Sequence, residues 1–152
     1  MAAEVISLNF EIEGEQLLLR RFVIMENTYR DWSDTFEEIG NELVKTFEMN
    51  FNSQGSTLER PWAPLSPKTI EQKRKLGFPL DPLIRTGDML QGFRPEHGKV
   101  YVAVENIVSY FKYHQSKKPR TKIPRRVMMA LTNKMRQTIV KKFQKRIDES
   151  LD

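Results

Sequence analysis

Prolines divide this chain into parts that must fold in different ways. Six of the eight prolines lie within residues 52–98, whereas the flanking stretches carry apolar residues at helical or strand spacing. Because proline fixes φ and removes a backbone donor, a long helix or a central strand is not expected in this middle part. The sequence therefore predicts an extended loop with short helices over 52–98, within a single domain over 1–152.

Two apolar stripes predict a long helix on each side of this loop. The first stripe comprises Trp32, Phe36, Ile39, Leu43 and Phe47, and the second comprises Leu131, Met135, Ile139, Phe143 and Ile147. Steps of three and four residues place each set on one helical face. The first helix is expected to end before Asn52, and its cap is Asn27, Asp31 or Ser33.

Alternating apolar and polar residues predict the strands. Residues 6–13 alternate strictly, and a second apolar run follows after Gly14, which predicts a β-hairpin over 1–25. Residues 99–105 predict a further strand, after which 107–111 either extend the sheet or begin a short helix. The expected fold class is α+β, a small antiparallel sheet packed against both long helices.

Local signals place two short helices inside the proline-rich loop. Ser66 followed by Pro67 is typical of a helix start, and Gly77 is typical of its end. Thr86 and Gly87 are expected to form a turn or the start of a second helical turn, in which glycine supplies backbone freedom.

Composition argues against most chemistry. The chain has no cysteine and only two histidines, and its seven glycines are scattered rather than gathered in a phosphate-binding loop. We therefore expect no enzyme activity, no metal site and no cofactor. A general base at His114 would need a nucleophile that the sequence does not place, so a structural hydrogen bond is expected there. No apolar run is long enough to cross a membrane, and the start does not resemble a signal peptide.

Charge is distributed unevenly along the chain. Residues 1–60 carry 5 Lys/Arg and 12 Asp/Glu, a net charge of −7, whereas residues 111–152 carry 13 and 3, a net charge of +10. Such a polarity can orient subunits head to tail, attract nucleic acid, or reflect only the choice of exposed side chains.

A basic loop over 115–126 concentrates this positive charge. Its cations are Lys117, Lys118, Arg120, Lys122, Arg125 and Arg126. Prolines keep the loop extended, so it can lie along phosphates or against an acidic surface, and the first four cations are candidates for facing DNA or another subunit. Because stacking aromatics are missing from the run, base-specific reading is not expected. A non-specific nucleic-acid-binding module using 112–146 is the alternative function.

Trp62 stands in a proline-rich segment, where a tryptophan either fills its own core or anchors a partner. The physical argument favours the core. Trp62 is kept, together with Arg125 and Arg126, as a candidate contact with a partner or a neighbouring subunit, since paired guanidinium groups hold carboxylates or phosphates well.

Five segments, in order, resemble the phage virion morphogenesis family of tail completion proteins. They are Phe47 to Gly55, Trp62 to Thr69 with a Trp-x-Pro-Leu-Ser-x-x-Thr pattern, Pro82 to Met89, Tyr110 to Gln115 and Ile123 to Arg126. The matching residues that we expect to be structural are Pro64, Leu65, Ser66, Thr69, Thr86, Gly87, His114, Gln115, Ile123 and Pro124. Of these, Ile123 and Pro124 are expected to orient the last helix.

The resemblance implies a structural virion protein. Such proteins act at the head-proximal end of a phage tail or in the neck and make the tail competent to join the head. The implied assembly is a homo-oligomeric ring, expected to be sixfold, between the tail terminator or tail tube and the head–tail connector. It would form in the host cytoplasm, in possible contact with phage DNA and without a membrane.

Overall fold

The computed structural model describes residues 5–7, 30–117 and 122–150. The α-helices in these ranges are α1 (Ser33–Asn52), α2 (Pro67–Leu76), α3 (Asp88–Gln91), α4 (Phe111–Gln115) and α5 (Asn133–Glu149), and a short 3-10 helix spans Ser56–Leu58. The strands in the same ranges are β1 (Val5–Ser7), β2 (Phe93–His97) and β3 (Val102–Asn106). The architecture is α+β, as predicted.

The strands pair in the order β1–β3–β2, and both pairings are antiparallel. Val5 pairs with Glu105 on one side of β3, and Pro95 pairs with Val104 on the other. The first predicted strand therefore joins β3, whereas the rest of the predicted hairpin over 1–25 lies outside the described residues.

Strand β2 corrects the expectation that 52–98 is loop with short helices alone. Phe93 is buried and begins the strand, which turns back into β3 through a hydrogen bond of 2.9 Å from the Gly98 N–H to the Tyr101 carbonyl. Pro95 is tolerated because β3 pairs with only one side of β2, so the missing N–H does not interrupt a central ladder.

Helix α1 lies across β2 and β3 and buries the first apolar stripe, as predicted. Gly40 allows this close approach, since an added Cβ would lie 3.1 Å from the Val102 side chain and 3.2 Å from Pro95. The helix continues through Asn52, past the predicted end, because Phe51 also belongs to the core. Its N-cap is Trp32, while Asp31 accepts a hydrogen bond of 3.0 Å from the Ser33 N–H.

Helix α5 packs the second stripe against the start of α1. The Phe143 ring lies 5.1 Å from the Trp32 ring and 5.3 Å from the Phe36 ring. Ile139 and Phe143 are buried, whereas Met135 and Ile147 are partly buried at its flanks. The helix begins after Thr132, whose side chain accepts a hydrogen bond from the Met135 N–H.

The short helices follow their local signals. Ser66 caps α2 by accepting a hydrogen bond of 3.2 Å from the Thr69 N–H, and Gly77 ends α2 in the left-handed conformation. Gly87, with φ +88°, precedes α3. Residues 107–110 leave the sheet and lead into α4, which decides between the two alternatives for this segment. No helix of the described ranges is both long and apolar enough to cross a membrane.

Candidate functional site

Segments that are distant in sequence meet around one open groove of about 610 Å³. The groove lies between the segment preceding α2, the loop before α3 and the segment after residue 121. Its lining includes seven of the ten residues predicted to be structural, namely Pro64, Leu65, Ser66, Thr69, His114, Ile123 and Pro124. The fold thus brings together residues that the sequence presents in separate motifs.

One wall of the groove is fixed by Trp62. This side chain is buried, contacts the Phe51 ring edge-on at 5.2 Å and donates a hydrogen bond of 2.9 Å to the Val127 carbonyl. The fully buried Asn50 side chain donates to the same carbonyl at 3.1 Å and accepts from the Leu58 N–H. Residue 127 is therefore joined to both the end of α1 and the loop that follows it.

Gly55 makes this arrangement possible. It has φ +91°, and a Cβ added there would lie 2.1 Å from the Arg60 carbonyl oxygen and 2.5 Å from Cδ1 of Trp62. Only glycine combines the left-handed backbone with the absence of a side chain, so the loop can fold back closely enough to insert Trp62.

Arg126 connects the wall formed by residues 63–66 to the segment before α5. Its guanidinium donates to the Ala63 carbonyl from Nε at 3.0 Å and from Nη2 at 2.9 Å, and Nη2 also reaches the Pro64 carbonyl at 3.3 Å. The residue is only 5% exposed, and this burial lowers the pKa of the guanidinium.

Gln115 holds the same segment from the side of α4. Its side-chain oxygen accepts hydrogen bonds from the Met128 and Met129 N–H groups, and its side-chain nitrogen donates to the Met129 carbonyl at 2.7 Å. The Arg126 N–H donates to the His114 carbonyl at 3.0 Å. The path into α5 is therefore set mainly by Gln115 and Arg126, whereas Ile123 and Pro124 lie at the surface of the groove.

Lys73 fixes the opposite wall. Its Nζ donates to the carbonyls of Asp81 and Ile84, at 2.7 Å each. Between these residues, Leu83 has φ +63°, an unfavourable backbone conformation for a large side chain. Desolvation is the main reason that the pKa of Lys73 is lowered. Lys73 thus holds a strained turn whose Leu83 and Ile84 side chains line the groove.

The groove combines positive charge with apolar surface. Its cations are Lys73, Arg85, Lys122 and Arg126, and the described lining contains no carboxylate. Its aliphatic and thioether side chains are those of Leu65, Leu83, Ile84, Met89 and Ile123. Such a surface is suited to binding. In the described ranges, no three His, Cys, Asp or Glu side chains are grouped to hold a metal ion.

A comparison with protein-family models identifies the family of this chain. The model of the phage virion morphogenesis family matches residues 13–148 of the 152. The chain belongs to the phage virion morphogenesis family. Membership in this family indicates a virion-associated protein with a structural rather than a catalytic role. Comparisons with curated proteins and with solved structures give no match.

Several residues of the family signature have structural roles in this protein. Ser66 and Thr69 begin α2, Thr86 donates to the Asp88 carboxylate at 2.6 Å beside Gly87, and Gln115 holds the segment before α5. The sequence patterns predicted no role for Asn50 or Lys73. The spacing of Thr69 and Lys73, four residues apart on α2, is the available signal that both face one side.

The three predicted partner contacts of this family member differ in exposure. Trp62 and Arg126 are buried, and their polar groups bond to backbone carbonyls of the same chain, although Arg126 also lines the groove. Arg125 is exposed and donates from Nε to the Gln115 carbonyl. Contact of these three residues with a partner stays a prediction.

The predicted basic loop is only partly described. Lys117 and Lys122 are exposed, whereas Lys118 and Arg120 lie outside the described residues. Further along, Lys142 forms ion pairs of 2.5 Å with Glu38 and 2.8 Å with Glu42. The Arg146 guanidinium lies 4.9 Å from the Trp32 ring centre. Some acidic residues of α1 and basic residues of α5 therefore pair with each other within one molecule.

Proposed function

We propose that this protein is a tail completion or neck protein, assembled as a ring at the head-proximal end of a phage tail, where it enables the tail to join the head. The family match over 13–148 carries the proposal. In this role the ring lies between the tail terminator or tail tube and the head–tail connector. It assembles in the host cytoplasm and remains in the virion.

The exposed charges support a contact between successive subunits. Asp34 and Glu37 are exposed on α1, and the exposed cations of α5 are Lys134, Arg136, Lys141 and Lys145. Acidic and basic surfaces on one chain are complementary between copies arranged head to tail, which is the arrangement that closes a cyclic ring. A sixfold ring would match the symmetry of a tail tube.

The proposal is tested by removing the gene from the phage that carries it. Electron microscopy of the lysate should then reveal full heads and complete-length tails that are not joined, and supplying the wild-type protein should restore joined particles. Native mass spectrometry of the protein with purified tails should detect a ring. Joined particles in the absence of the protein, together with a protein that stays monomeric alone and with tails, would contradict the proposal.

Non-specific nucleic-acid binding is the second candidate, favoured by the exposed Lys117, Lys122 and Arg125. It predicts an affinity for DNA that falls steeply with salt and that weakens when Lys117, Lys118, Arg120 and Lys122 are changed to glutamine. Neutralising Lys68 and Arg74, which are exposed on α2 and lie outside 112–146, provides a comparison on another surface. Undetectable binding at low salt would exclude this function. Both functions are compatible, since a neck ring surrounds DNA.

A further inference from the structure

The guanidinium of Arg126 is a buried charge that forms no ion pair with a carboxylate of the described residues. Its three hydrogen bonds go to the neutral carbonyl oxygens of Ala63 and Pro64, and none of the ion pairs among the described residues involves it. An isolated buried cation is unfavourable, and a carboxylate placed nearby interacts strongly with it because water screens the pair poorly. Arg126 lines the groove, so this unmatched charge can be reached from it.

Three further cations line the groove. Lys73 donates to two backbone carbonyls, Arg85 stacks on the Phe78 ring at 4.5 Å, and Lys122 is exposed at the edge. With Arg126 and without a carboxylate among the described lining residues, these side chains make the groove electrostatically positive. An anionic occupant is therefore favoured over a neutral or cationic one.

The apolar part of the lining distinguishes between anionic occupants. Leu65, Leu83 and Ile123 contribute aliphatic surface to the same lining, and the described lining contains no Phe, Tyr or Trp on which a base could stack. A phosphate backbone would leave this aliphatic surface unused. A peptide with carboxylate and aliphatic side chains in succession would satisfy both parts of the lining, and the groove volume is in the range of pockets that bind small ligands or a few residues.

We propose that this groove binds an acidic, aliphatic polypeptide segment of a neighbouring virion protein, with its carboxylates held by Arg126, Arg85 and Lys122. The chemistry of the occupant follows from the groove itself, and only its assignment to a virion protein rests on the proposed function. The signature residues around the groove then have a common purpose, because they hold two walls at the spacing that receives the segment.

Binding is measured on the intact purified protein with a labelled short peptide in which leucine and glutamate alternate. The matched probes are the same peptide with glutamine for glutamate and a single-stranded thymidine oligonucleotide. Fluorescence anisotropy should give saturable binding of the acidic peptide, at least about tenfold tighter than that of the glutamine peptide. Equal binding of the two peptides, no saturable binding, or preferential binding of the oligonucleotide at the groove would overturn the proposal.

Paired variants locate the binding site. Arg85→Glu with Lys122→Glu should weaken peptide binding about tenfold, whereas Lys141→Glu with Lys145→Glu, an equal change in net charge on exposed α5 residues, should leave it unchanged. Ile123→Ser should weaken binding, and Val140→Ser, at another exposed apolar residue, should not. Equal effects of the groove pair and the α5 pair would show non-specific attraction and contradict the proposal.

A photo-crosslinking residue at position 123 tests the occupant in assembled particles, with position 140 as the comparison. The crosslinked segment, mapped by mass spectrometry, should be rich in aspartate or glutamate and aliphatic residues. A crosslink to DNA, or to a segment without carboxylates, would overturn the groove proposal even if head–tail joining requires the protein. Conversely, peptide binding at the groove would stand if joining did not require it.

Discussion

The indole Nε1 of Trp62 donates a hydrogen bond of 2.9 Å to the backbone carbonyl of Val127, 65 residues further along the chain. This bond joins the loop after α1 to the segment that enters α5. The Asn50 side chain donates to the same carbonyl. One carbonyl oxygen thus connects three parts of the fold, and the groove lies next to this connection.

We expect Trp62→Phe to lower the free energy of unfolding by about 1–2 kcal/mol, because a phenyl ring still packs beside Phe51 while the buried hydrogen bond of the indole is lost. Trp62→Ala should cost about 3–5 kcal/mol, since it also leaves a cavity beside Phe51. Chemical denaturation measures both. Tyr101→Phe is the control, because among the described residues its exposed hydroxyl bonds only to Glu96, and its loss should change stability little. Similar losses for Trp62→Phe and Tyr101→Phe would contradict this account.

Two left-handed glycines provide a matched comparison. Gly77→Ala should cost about 1 kcal/mol, since its φ of +71° is unfavourable for alanine but nothing lies within 4 Å of an added Cβ. Gly55→Ala should cost several times as much, because the added Cβ would collide with the Arg60 carbonyl and the Trp62 ring. Thermal denaturation of the two variants tests the difference. Equal losses would mean that the loop around Gly55 can relax.

The shape of the Arg126 side chain should matter as well as its charge. Arg126→Lys keeps a cation but cannot donate from two nitrogens to the Ala63 carbonyl, so we expect it to lower the free energy of unfolding by about 1–3 kcal/mol. Arg125→Lys, at an exposed neighbour with a single bond, should stay within about 0.5 kcal/mol of the wild type. Urea unfolding compares the two variants. An unchanged free energy of unfolding for Arg126→Lys would contradict the conclusion that Arg126 fixes the segment before α5 through these hydrogen bonds.

The ion pairs of Lys142 with Glu38 and Glu42 give a pH-dependent prediction. Hydrogen bonds to Glu38, and then to Glu42, are the largest causes that raise the pKa of Lys142 above its ordinary 10.5. The stabilisation is therefore complete below pH 10.5 and is lost as the pH rises through the higher pKa of the folded state. At neutral pH, Lys142→Met should cost about 0.5–1 kcal/mol, since both carboxylates are largely exposed.

As the pH rises through this alkaline range, the free energies of unfolding of wild type and Lys142→Met should become equal. Lys145→Met is the control, because Lys145 is 77% exposed and lies 3.7 Å from Glu149. It should differ little from wild type at any pH. A difference between wild type and Lys142→Met that persisted above the folded pKa would show that the charge of Lys142 is not what stabilises the contact between α1 and α5.

Elements with short-range causes could be predicted from the sequence. The cap of α2 joins Ser66 to Thr69, and the apolar faces of α1 and α5 repeat every three or four residues, so each pattern carries its own physical reason. Strand β2 escaped prediction because Pro95 is incompatible with a central strand. Only the order of strands reveals that β2 lies at the edge of the described sheet, where a proline is tolerated.

For the candidate site, too, some features could be predicted from the sequence and others could not. The sequence by itself determined the fold class, the two long helices, and the presence of a signature whose residues include Pro64, Leu65 and Ile123. Only the tertiary structure decided that these residues share a groove, and that Trp62 and Arg126 face inward. The physical reason is that both side chains bond to backbone carbonyls more than 60 residues away. Every residue carries such a carbonyl, so no sequence pattern marks which one will be the acceptor.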